Sequence, residues 1–213
     1  MPKLRPTHKR IAVKLYRLLA EGRPVPQSRL AEALHISERA VRGALSQLPF
    51  VFYDKRKEVI QFGGLTLRKT PHSFRVDSQT LYTWCAWDSL FVPAILGKTA
   101  YVVSTDPTTL QKISLVVSPE RVLQVNPVST VVSFLAPDKG FDAYVIQSFC
   151  HFVHFFGSRE SGNQWSTKHE GTVLLSVDEA FDLGRLINNR TFGKALQEQK
   201  ERRTACLSTE KFP

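Results

Sequence analysis

Two cysteines in apolar stretches, the first of them close to an aspartate, are the residues of this chain that could do chemistry. Cys85 and Asp88 lie in the stretch WCAWDSL, in which Trp84 and Trp87 flank the cysteine. If this stretch is helical, the thiol and the carboxyl share one face, because residues three apart are neighbours on a helix. A carboxylate in apolar surroundings is unfavourable unless it is paired or protonated, so the position of Asp88 indicates a role beside the thiol.

The second cysteine, Cys150, lies in SFCHFVHFF together with His151 and His154. A free cysteine is often a small buried hydrophobe, and this structural interpretation fits each cysteine alone but leaves Asp88 unexplained. A zinc site is a second interpretation, since Cys85, Cys150 and the two histidines are ligands of the right type. Its support is weak, because there is no CxxC pair and adjacent residues of a strand point to opposite faces.

A site for a soft metal is the third interpretation. Two thiolates are the ligands that a soft, thiophilic cation prefers, and an apolar aromatic pocket suits an organic substituent on that cation. A buried carboxyl with a raised pKa can move a proton at neutral pH. Cys85, Cys150 and Asp88 could therefore cleave a carbon–metal bond by protonation, and the residues alone leave all three interpretations open.

The N-terminal part of the chain has the pattern of three helices followed by a hairpin. The segments are HKRIAVKLYRLLAEG, QSRLAEALH, ISERAVRGALSQL and FVFYDKRKEVIQFGG, the last with a charged turn at Asp54–Lys57. This order is typical of a winged helix, and its second and third helices resemble a helix-turn-helix. Such a module could read DNA through Arg39 and Arg42, or it could simply pack against its neighbour.

The rest of the chain predicts a sheet with flanking helices. A helix beginning near Gln79 is expected to carry WCAWDSLF and to weaken at Pro93. Later segments have strand character, IQSFCHFVHFFGS is a buried strand or a helix end running into one, and VDEAFDLGRLINNR is helical. The strand segments are TAYVVS, KISLVV, RVLQV, STVVSFLA and TVLLS. The tail after Thr204 is expected to be loose.

These patterns predict an α+β fold, with an N-terminal three-helix winged-helix-like segment packed beside a mixed β-sheet core with flanking helices. A shift in composition near residue 77 suggests a winged-helix-like domain over residues 1–77 and a second, catalytic domain over residues 78–213. The net charge of +10 over 213 residues fits a nucleic-acid partner or a solvated basic surface.

Composition also indicates the compartment. The first residues lack the apolar core of a signal peptide, and no apolar run is long enough for a membrane span. Three cysteines in a chain of this size do not suggest a disulfide framework, so a cytoplasmic protein with reduced thiols is expected. The third cysteine, Cys206, lies in the predicted loose tail and is expected to be a surface thiol without a function.

The segments around both cysteines resemble those of the organomercurial lyases, also called alkylmercury lyases. The resemblance is ordered along the chain from about residue 63 to residue 185. It rests on GGLTLRKT, LYTWCAWDSLFVPAILGKTA, SLVVSPERV, QSFCHFVHFF, STKHEG and SVDEAFDLG. It departs at His151, where family members can carry a further cysteine, so no accessory thiol is implied there.

The resemblance implies an enzyme that cleaves the carbon–mercury bond of alkyl- and arylmercury compounds by protonolysis, giving a hydrocarbon and Hg(II) for mercury detoxification. It implies that Cys85 and Cys150 bind mercury, that Asp88 relays the proton, and that all three hold the Hg(II) product. No organic cofactor is implied. External thiols such as glutathione or cysteine would carry substrate, and mercuric reductase would accept Hg(II), with no DNA or membrane partner. The alternative is a DNA-binding thiol-based mercury or metal sensor, which needs the thiolates but no proton donor.

Overall fold

The structure, a computed structural model, describes residues 4–135 and 144–209. An eight-stranded antiparallel sheet in the order β1-β2-β3-β5-β4-β6-β7-β8 is joined by a three-stranded sheet in the order β10-β9-β11. Helices accompany both sheets, so the predicted α+β class is confirmed.

The bounds of the elements are as follows. The helices are α1 Pro6–Leu19, α2 Gln27–Leu34, α3 Glu38–Leu45, α4 Asp88–Leu96, α5 Val145–Ser148, α6 Arg159–Ser166 and α7 Val177–Thr209. The first eight strands are β1 Val51–Tyr53, β2 Val59–Phe62, β3 Leu65–Thr66, β4 His72–Val76, β5 Gln79–Thr83, β6 Ala100–Thr105, β7 Lys112–Val117 and β8 Val122–Asn126. The others are β9 Val131–Leu135, β10 Phe155–Phe156 and β11 Thr172–Ser176, and a 3₁₀ turn covers Cys150–Phe152.

The three N-terminal helices and the following hairpin are present as predicted. Ser37 caps α3, because its hydroxyl accepts a hydrogen bond from the backbone N–H of Ala40. In the hairpin turn, one carboxylate oxygen of Asp54 accepts the N–H groups of Arg56 and Glu58. The apolar face of α1 is fully buried in the core that also contains α4, so the N-terminal helices pack directly on the remainder of the chain.

The helix expected from Gln79 is wrong, because residues Gln79–Thr83 form strand β5 and the helix begins only at Asp88. The strand pairs with β4 across a tight turn at Asp77, which has a positive φ of 51°. Aspartate tolerates this left-handed conformation in turns better than most residues do. Pro93 lies inside α4, and the helix ends at Leu96 with Gly97 in the left-handed conformation.

The sheet is antiparallel and not mixed as the sequence suggested. Every strand pairing found in residues 4–135 and 144–209 is antiparallel, which suits strands joined by short connections. The boundary expected at residue 77 falls in the turn between β4 and β5, in the middle of the eight-stranded sheet. The strands of the first 77 residues and those that follow thus share one sheet.

The C-terminal helix is longer than expected. The backbone of α7 is helical as far as Thr209, past the point at which the sequence predicted a loose tail. The surroundings of the Cys206 side chain lie outside the described part of the structure. Among the described residues, no helix combines the length and apolar character needed to cross a membrane.

Asp106, which directly follows β6, connects the turn after β6 by hydrogen bonds to the segments that follow Cys150. One carboxylate oxygen accepts the N–H of Gly157 at 2.9 Å and the hydroxyl of Ser161 at 2.7 Å. The other accepts the N–H groups of Thr108 and Thr109. Burial alone would raise the pKa of Asp106, but these hydrogen bonds outweigh it and hold the pKa below the ordinary value.

We expect Asp106→Asn to reduce the free energy of unfolding by about 2 kcal/mol or more, because its amide nitrogen would face donors and leave them unsatisfied. Since the pKa of Asp106 is lowered on folding, its stabilisation is present above the ordinary carboxyl pKa and is lost as the pH falls through the folded value. Urea denaturation at pH 7 and pH 3 measures both effects. Asp77→Asn, at an exposed ion pair with Lys98, is the control and should change stability by less than about 1 kcal/mol. Equal losses in both variants would contradict the prediction.

Candidate active site

The start of α4 places Cys85 and Asp88 together. Asp88 is the first residue of the helix, and its Oδ2 atom accepts the backbone N–H of Cys85 at 2.9 Å. The carbonyl of Cys85 accepts the hydroxyl of Thr83, the last residue of β5, at 3.0 Å. The predicted closeness of the thiol and the carboxyl is therefore confirmed, although it comes from the strand-to-helix turn and not from a shared helix face.

Cys150 reaches the same place from the other sheet. It begins a 3₁₀ turn between α5 and β10, so the expectation of a helix end running into a strand is confirmed. The hydroxyl of Ser133 on β9 donates to the carbonyl of Phe152 at 2.7 Å and accepts the N–H of His154 at 2.9 Å. The N–H of Ala86 donates to the carbonyl of Val153 at 3.2 Å, which joins the two cysteine loops directly.

The three side chains form one compact group. The Sγ atoms of Cys85 and Cys150 and a carboxylate oxygen of Asp88 all lie within 4.8 Å of one another. Cys85 is 0% exposed, Cys150 is 5% exposed and Asp88 is 6% exposed. Both cysteines are free thiols. Two soft sulfur ligands and one carboxylate in this arrangement can bind a thiophilic cation between them.

Burial changes the acidity of the group. It raises the pKa of Asp88 from 3.8 to about 7, although hydrogen bonds from the thiol and the N–H of Cys85 oppose the rise. Burial also raises the pKa of the Cys85 thiol well above its ordinary value, helped by contact with Cys150 and by the charge of Asp88. At neutral pH the Cys85 thiol therefore keeps its proton, while the carboxyl is poised to gain or lose one.

Aromatic rings enclose the group. The ring of Trp87 packs on Phe91, Phe134 and Phe149 with centroids 5.1–5.9 Å apart, and its indole N–H donates to the carbonyl of Ala180. These contacts make Trp87 a packing residue of the buried wall. The carboxyl of Asp88, the next residue, is buried as well, and this burial explains why its pKa is raised.

Trp84, on the other side of Cys85, is only half-buried. Its indole N–H donates to the side-chain oxygen of Gln61 at 2.9 Å, and its ring meets the edges of Phe50 and Phe52. Trp84 thus closes the site toward the N-terminal hairpin.

The histidines do not join the group, which removes the basis of the proposed zinc set. In the described part of the chain, the residues that could jointly hold a metal are Cys85, Asp88 and Cys150, without His151 or His154. The imidazole Nε2 of His154 bonds instead to the carbonyl of His151 at 2.8 Å. Burial lowers the pKa of His154, so its ring is neutral at pH 7.

Two features of the site are absent from the sequence-based predictions. The Gly63–Gly64 turn lies against the carboxyl of Asp88, and the side chain of Tyr16 on α1 lies against that turn. A Gly-Gly pair between two strand-like segments was the available signal for the turn. Tyr16 lacked any signal, because its apolar neighbours on α1 indicate only a buried face.

Comparison with known proteins gives a consistent result. Residues 65–189 match the family model described as alkylmercury lyase. An alkylmercury lyase of Pseudomonas putida is 46% identical over 193 residues, which are 91% of this chain and 87% of that protein. An alkylmercury lyase of Streptomyces lividans is 42% identical over 80% of this chain and 78% of that protein. One from Staphylococcus epidermidis is 40% identical over 83% and 80%.

A solved structure has a similar fold. The crystal structure of the mercury-bound form of MerB2 superposes with a TM-score of 0.72 and covers 88% of this chain and 93% of that chain. Its sequence identity is 22%, so the likeness concerns the fold. None of these similar proteins supports a DNA-binding sensor.

We expect the carboxyl of Asp88 to titrate near pH 7 in a carboxyl-carbon NMR experiment. Because its pKa is raised on folding, the folded chain keeps a proton that the unfolded chain has lost between about pH 4 and pH 7. Ionisation of Asp88 therefore lowers the free energy of unfolding of the wild type as the pH rises through this range. Asp88→Asn lacks this ionisation, so its free energy of unfolding minus that of the wild type should be larger at pH 8 than at pH 5. A midpoint near pH 4 would contradict the prediction. Asp77→Asn, at an exposed aspartate, is the matched control.

Proposed function

The chain belongs to the alkylmercury lyase family, and on that premise we propose that Cys85, Asp88 and Cys150 are its catalytic residues. The chain is thus an enzyme that cleaves the carbon–mercury bond of organomercurials. The observation that carries the assignment of these residues is the buried group of two thiols and one carboxyl with ligand atoms within 4.8 Å.

Capture of the substrate is a thiol exchange. An organomercury cation arrives as the complex of an external thiol, such as glutathione or cysteine, since mercury binds sulfur strongly. One of the two cysteines replaces the carrier, and the proton of its thiol leaves with the carrier thiol. No charge builds up in the buried site, because one neutral mercury–sulfur complex replaces another.

The second cysteine then adds to mercury and loses its proton. A thiol that coordinates a metal is deprotonated, but in a water-excluded site the proton needs a nearby acceptor. Asp88 is that acceptor, because its carboxyl contacts the Cys85 thiol and its pKa of about 7 lets it take up a proton at neutral pH. Mercury is now bound to two sulfurs and to the organic carbon.

Protonation of carbon completes the reaction. Two thiolate ligands put electron density on mercury and make the bound carbon more basic. Asp88 delivers its proton to that carbon, the carbon–mercury bond breaks, and the hydrocarbon leaves. Hg(II) stays on the sulfurs of Cys85 and Cys150 with a carboxylate oxygen of Asp88 beside it, and Asp88 is ionised again, so the proton balance closes.

The buried product needs thiol partners to leave. We propose that external thiols remove Hg(II) by exchange and that mercuric reductase accepts it, without an organic cofactor in the lyase step. A cytoplasmic location suits this scheme, because Cys85 and Cys150 are free thiols that need a reducing environment.

We propose that the N-terminal helices and the β1–β2 hairpin are the winged-helix-like part of residues 1–77 and serve the lyase site over residues 78–213, with which this part shares the eight-stranded sheet. The packing of α1 against α4 supports this role, because α4 carries Asp88 at its first position.

We expect the purified protein to release methane from methylmercury in the presence of excess thiol, as measured by headspace gas chromatography. Asp88→Ala should lower the rate at least about 100-fold, because it removes the proton donor. Cys150→Ala should do the same, because a single sulfur activates the carbon too little. Cys206→Ala is the matched control, since it removes the remaining thiol of the chain and should leave the rate unchanged.

The two kinds of variant should differ in what they retain. Asp88→Ala should still capture mercury with both thiols, whereas Cys150→Ala should hold it more weakly after desalting. Methane release by Asp88→Ala at the wild-type rate would reject the proposed proton relay.

We expect kcat/KM to rise with pH and to level off above about pH 7, because the ionised form of Asp88 accepts the proton of the second thiol. One pH unit below the pKa, the rate should be about one-tenth of the plateau. Initial rates between pH 5.5 and 8.5, with methylmercury supplied as its preformed cysteine complex, test this. A rate that is highest at pH 5.5 would mean that Asp88 must start protonated and would overturn the order of steps.

A further inference from the structure

We propose that Tyr16 of α1 is a positioning residue for the cleavage of the carbon–mercury bond, and that it acts through the Gly63–Gly64 turn on Asp88. This inference rests on the proposed role of Asp88 as proton relay. It gives the N-terminal helices a defined part in the reaction.

Tyr16 is fixed on one side of the turn. Its hydroxyl donates a hydrogen bond of 2.6 Å to the carbonyl of Gly63, and the residue is only 3% exposed. Its ring packs on Phe62 and Phe192 with centroids 4.8 and 6.3 Å away. The approach is so close that a Cβ atom on Gly63 would lie 2.2 Å from the hydroxyl oxygen.

Asp88 lies on the other side of the same turn. A Cβ atom on Gly64 would lie 2.4 Å from Oδ1 of Asp88 and 2.5 Å from its Cγ atom. The carbonyl of Gly64 accepts the N–H of Trp84 at 2.9 Å, which anchors the turn beside Cys85. Oδ2 is held by the N–H of Cys85 and Oδ1 is bounded by Gly64, so the turn sets the orientation of the carboxyl.

A cavity beside the turn makes the hydrogen bond of Tyr16 important. It has a volume of about 50 Å³, is largely apolar, and is lined by Tyr16, Gly63 and Trp87 among others. The cavity is large enough for a water molecule, but its apolar lining keeps it dry while the hydroxyl of Tyr16 satisfies the carbonyl of Gly63. Without the tyrosine hydroxyl, the carbonyl of Gly63 would lose its donor and would recruit water from this side. The turn could then move away from Asp88, and the carboxyl would lose both its fixed orientation and its dry surroundings.

The test separates mercury capture from bond cleavage. Tyr16→Phe removes one hydroxyl and keeps the ring packing. We expect kcat for methane release to fall about 10- to 100-fold, the range found when a residue that orients a functional group is lost. KM and the amount of Hg(II) retained per chain, followed by the ultraviolet absorption of mercury–thiolate bonds, should stay unchanged, because both thiols are intact. Tyr53→Phe, at an exposed tyrosine of β1, is the matched control and should behave as the wild type.

A second variant tests the path through the turn. Gly64→Ala puts a methyl group against Oδ1 of Asp88 and should also lower kcat while Hg(II) is still captured. If Tyr16 acts through the turn, adding Tyr16→Phe to Gly64→Ala should cause little further loss. Gly43→Ala, where a Cβ atom meets nothing within 4 Å, is the control for the glycine change.

Three outcomes overturn the inference. They are wild-type kcat in Tyr16→Phe, equal losses of mercury capture and cleavage, and fully additive losses in the double variant. Asp88→Ala, measured alongside, keeps the two proposals apart. If Asp88→Ala releases methane at the wild-type rate, the proposed function fails, whereas a loss in Asp88→Ala without a loss in Tyr16→Phe rejects only the role of Tyr16.

Discussion

A carboxyl buried against two thiols is the constraint on which the site depends. Asp88 is 6% exposed, and its Oδ2 atom accepts the backbone N–H of Cys85. A buried carboxylate is costly unless donors compensate it, and here the compensation is partial, so the pKa rises to about 7 instead of remaining near 3.8. The position of Asp88 at the start of α4 limits this rise, because a helix N-terminus favours negative charge. The resulting carboxyl can exist in either protonation state at neutral pH, as a proton relay requires.

The fold meets this constraint by joining loops from two sheets. Cys85 follows a strand of the eight-stranded sheet, and Cys150 comes just before β10 of the three-stranded sheet. The bond from the N–H of Ala86 to the carbonyl of Val153 fixes one loop on the other, and Ser133 holds the backbone just after Cys150. The sulfur atoms are therefore placed by backbone hydrogen bonds and not by the flexible side chains alone. Such rigid placement keeps both sulfurs within reach of one metal ion.

The sequence was a better guide to the candidate reactive residues than to their arrangement in space. The spacing of Cys85 and Asp88 predicted their closeness, and the polar pattern of the chain predicted most strands. The strand β5 was mistaken for the beginning of a helix, because its pairing with β4 depends on a left-handed Asp77 that no periodicity reveals. The approach of Cys150 to Cys85 was implied only by the family resemblance, since 65 residues separate them. The contact of Tyr16 with Gly63 spans 47 residues and joins two elements whose local patterns are independent of each other.

In the proposed mechanism, the raised pKa values of Cys85 and Asp88 are consistent with one order of proton transfers. Because burial raises the pKa of Cys85, its thiol stays protonated and reacts slowly with ordinary electrophiles, for which the thiolate is the nucleophile. A bound mercury ion reverses this situation, since metal coordination deprotonates a thiol outright. In the proposed mechanism, ionised Asp88 is then the nearest base, and it becomes a proton donor by taking up the proton of the second thiol. In this proposed order of steps, the proton that finally reaches carbon comes from a thiol that mercury itself has made acidic. On this proposal, the substrate itself supplies ionised Asp88 with the proton that the carboxyl later delivers.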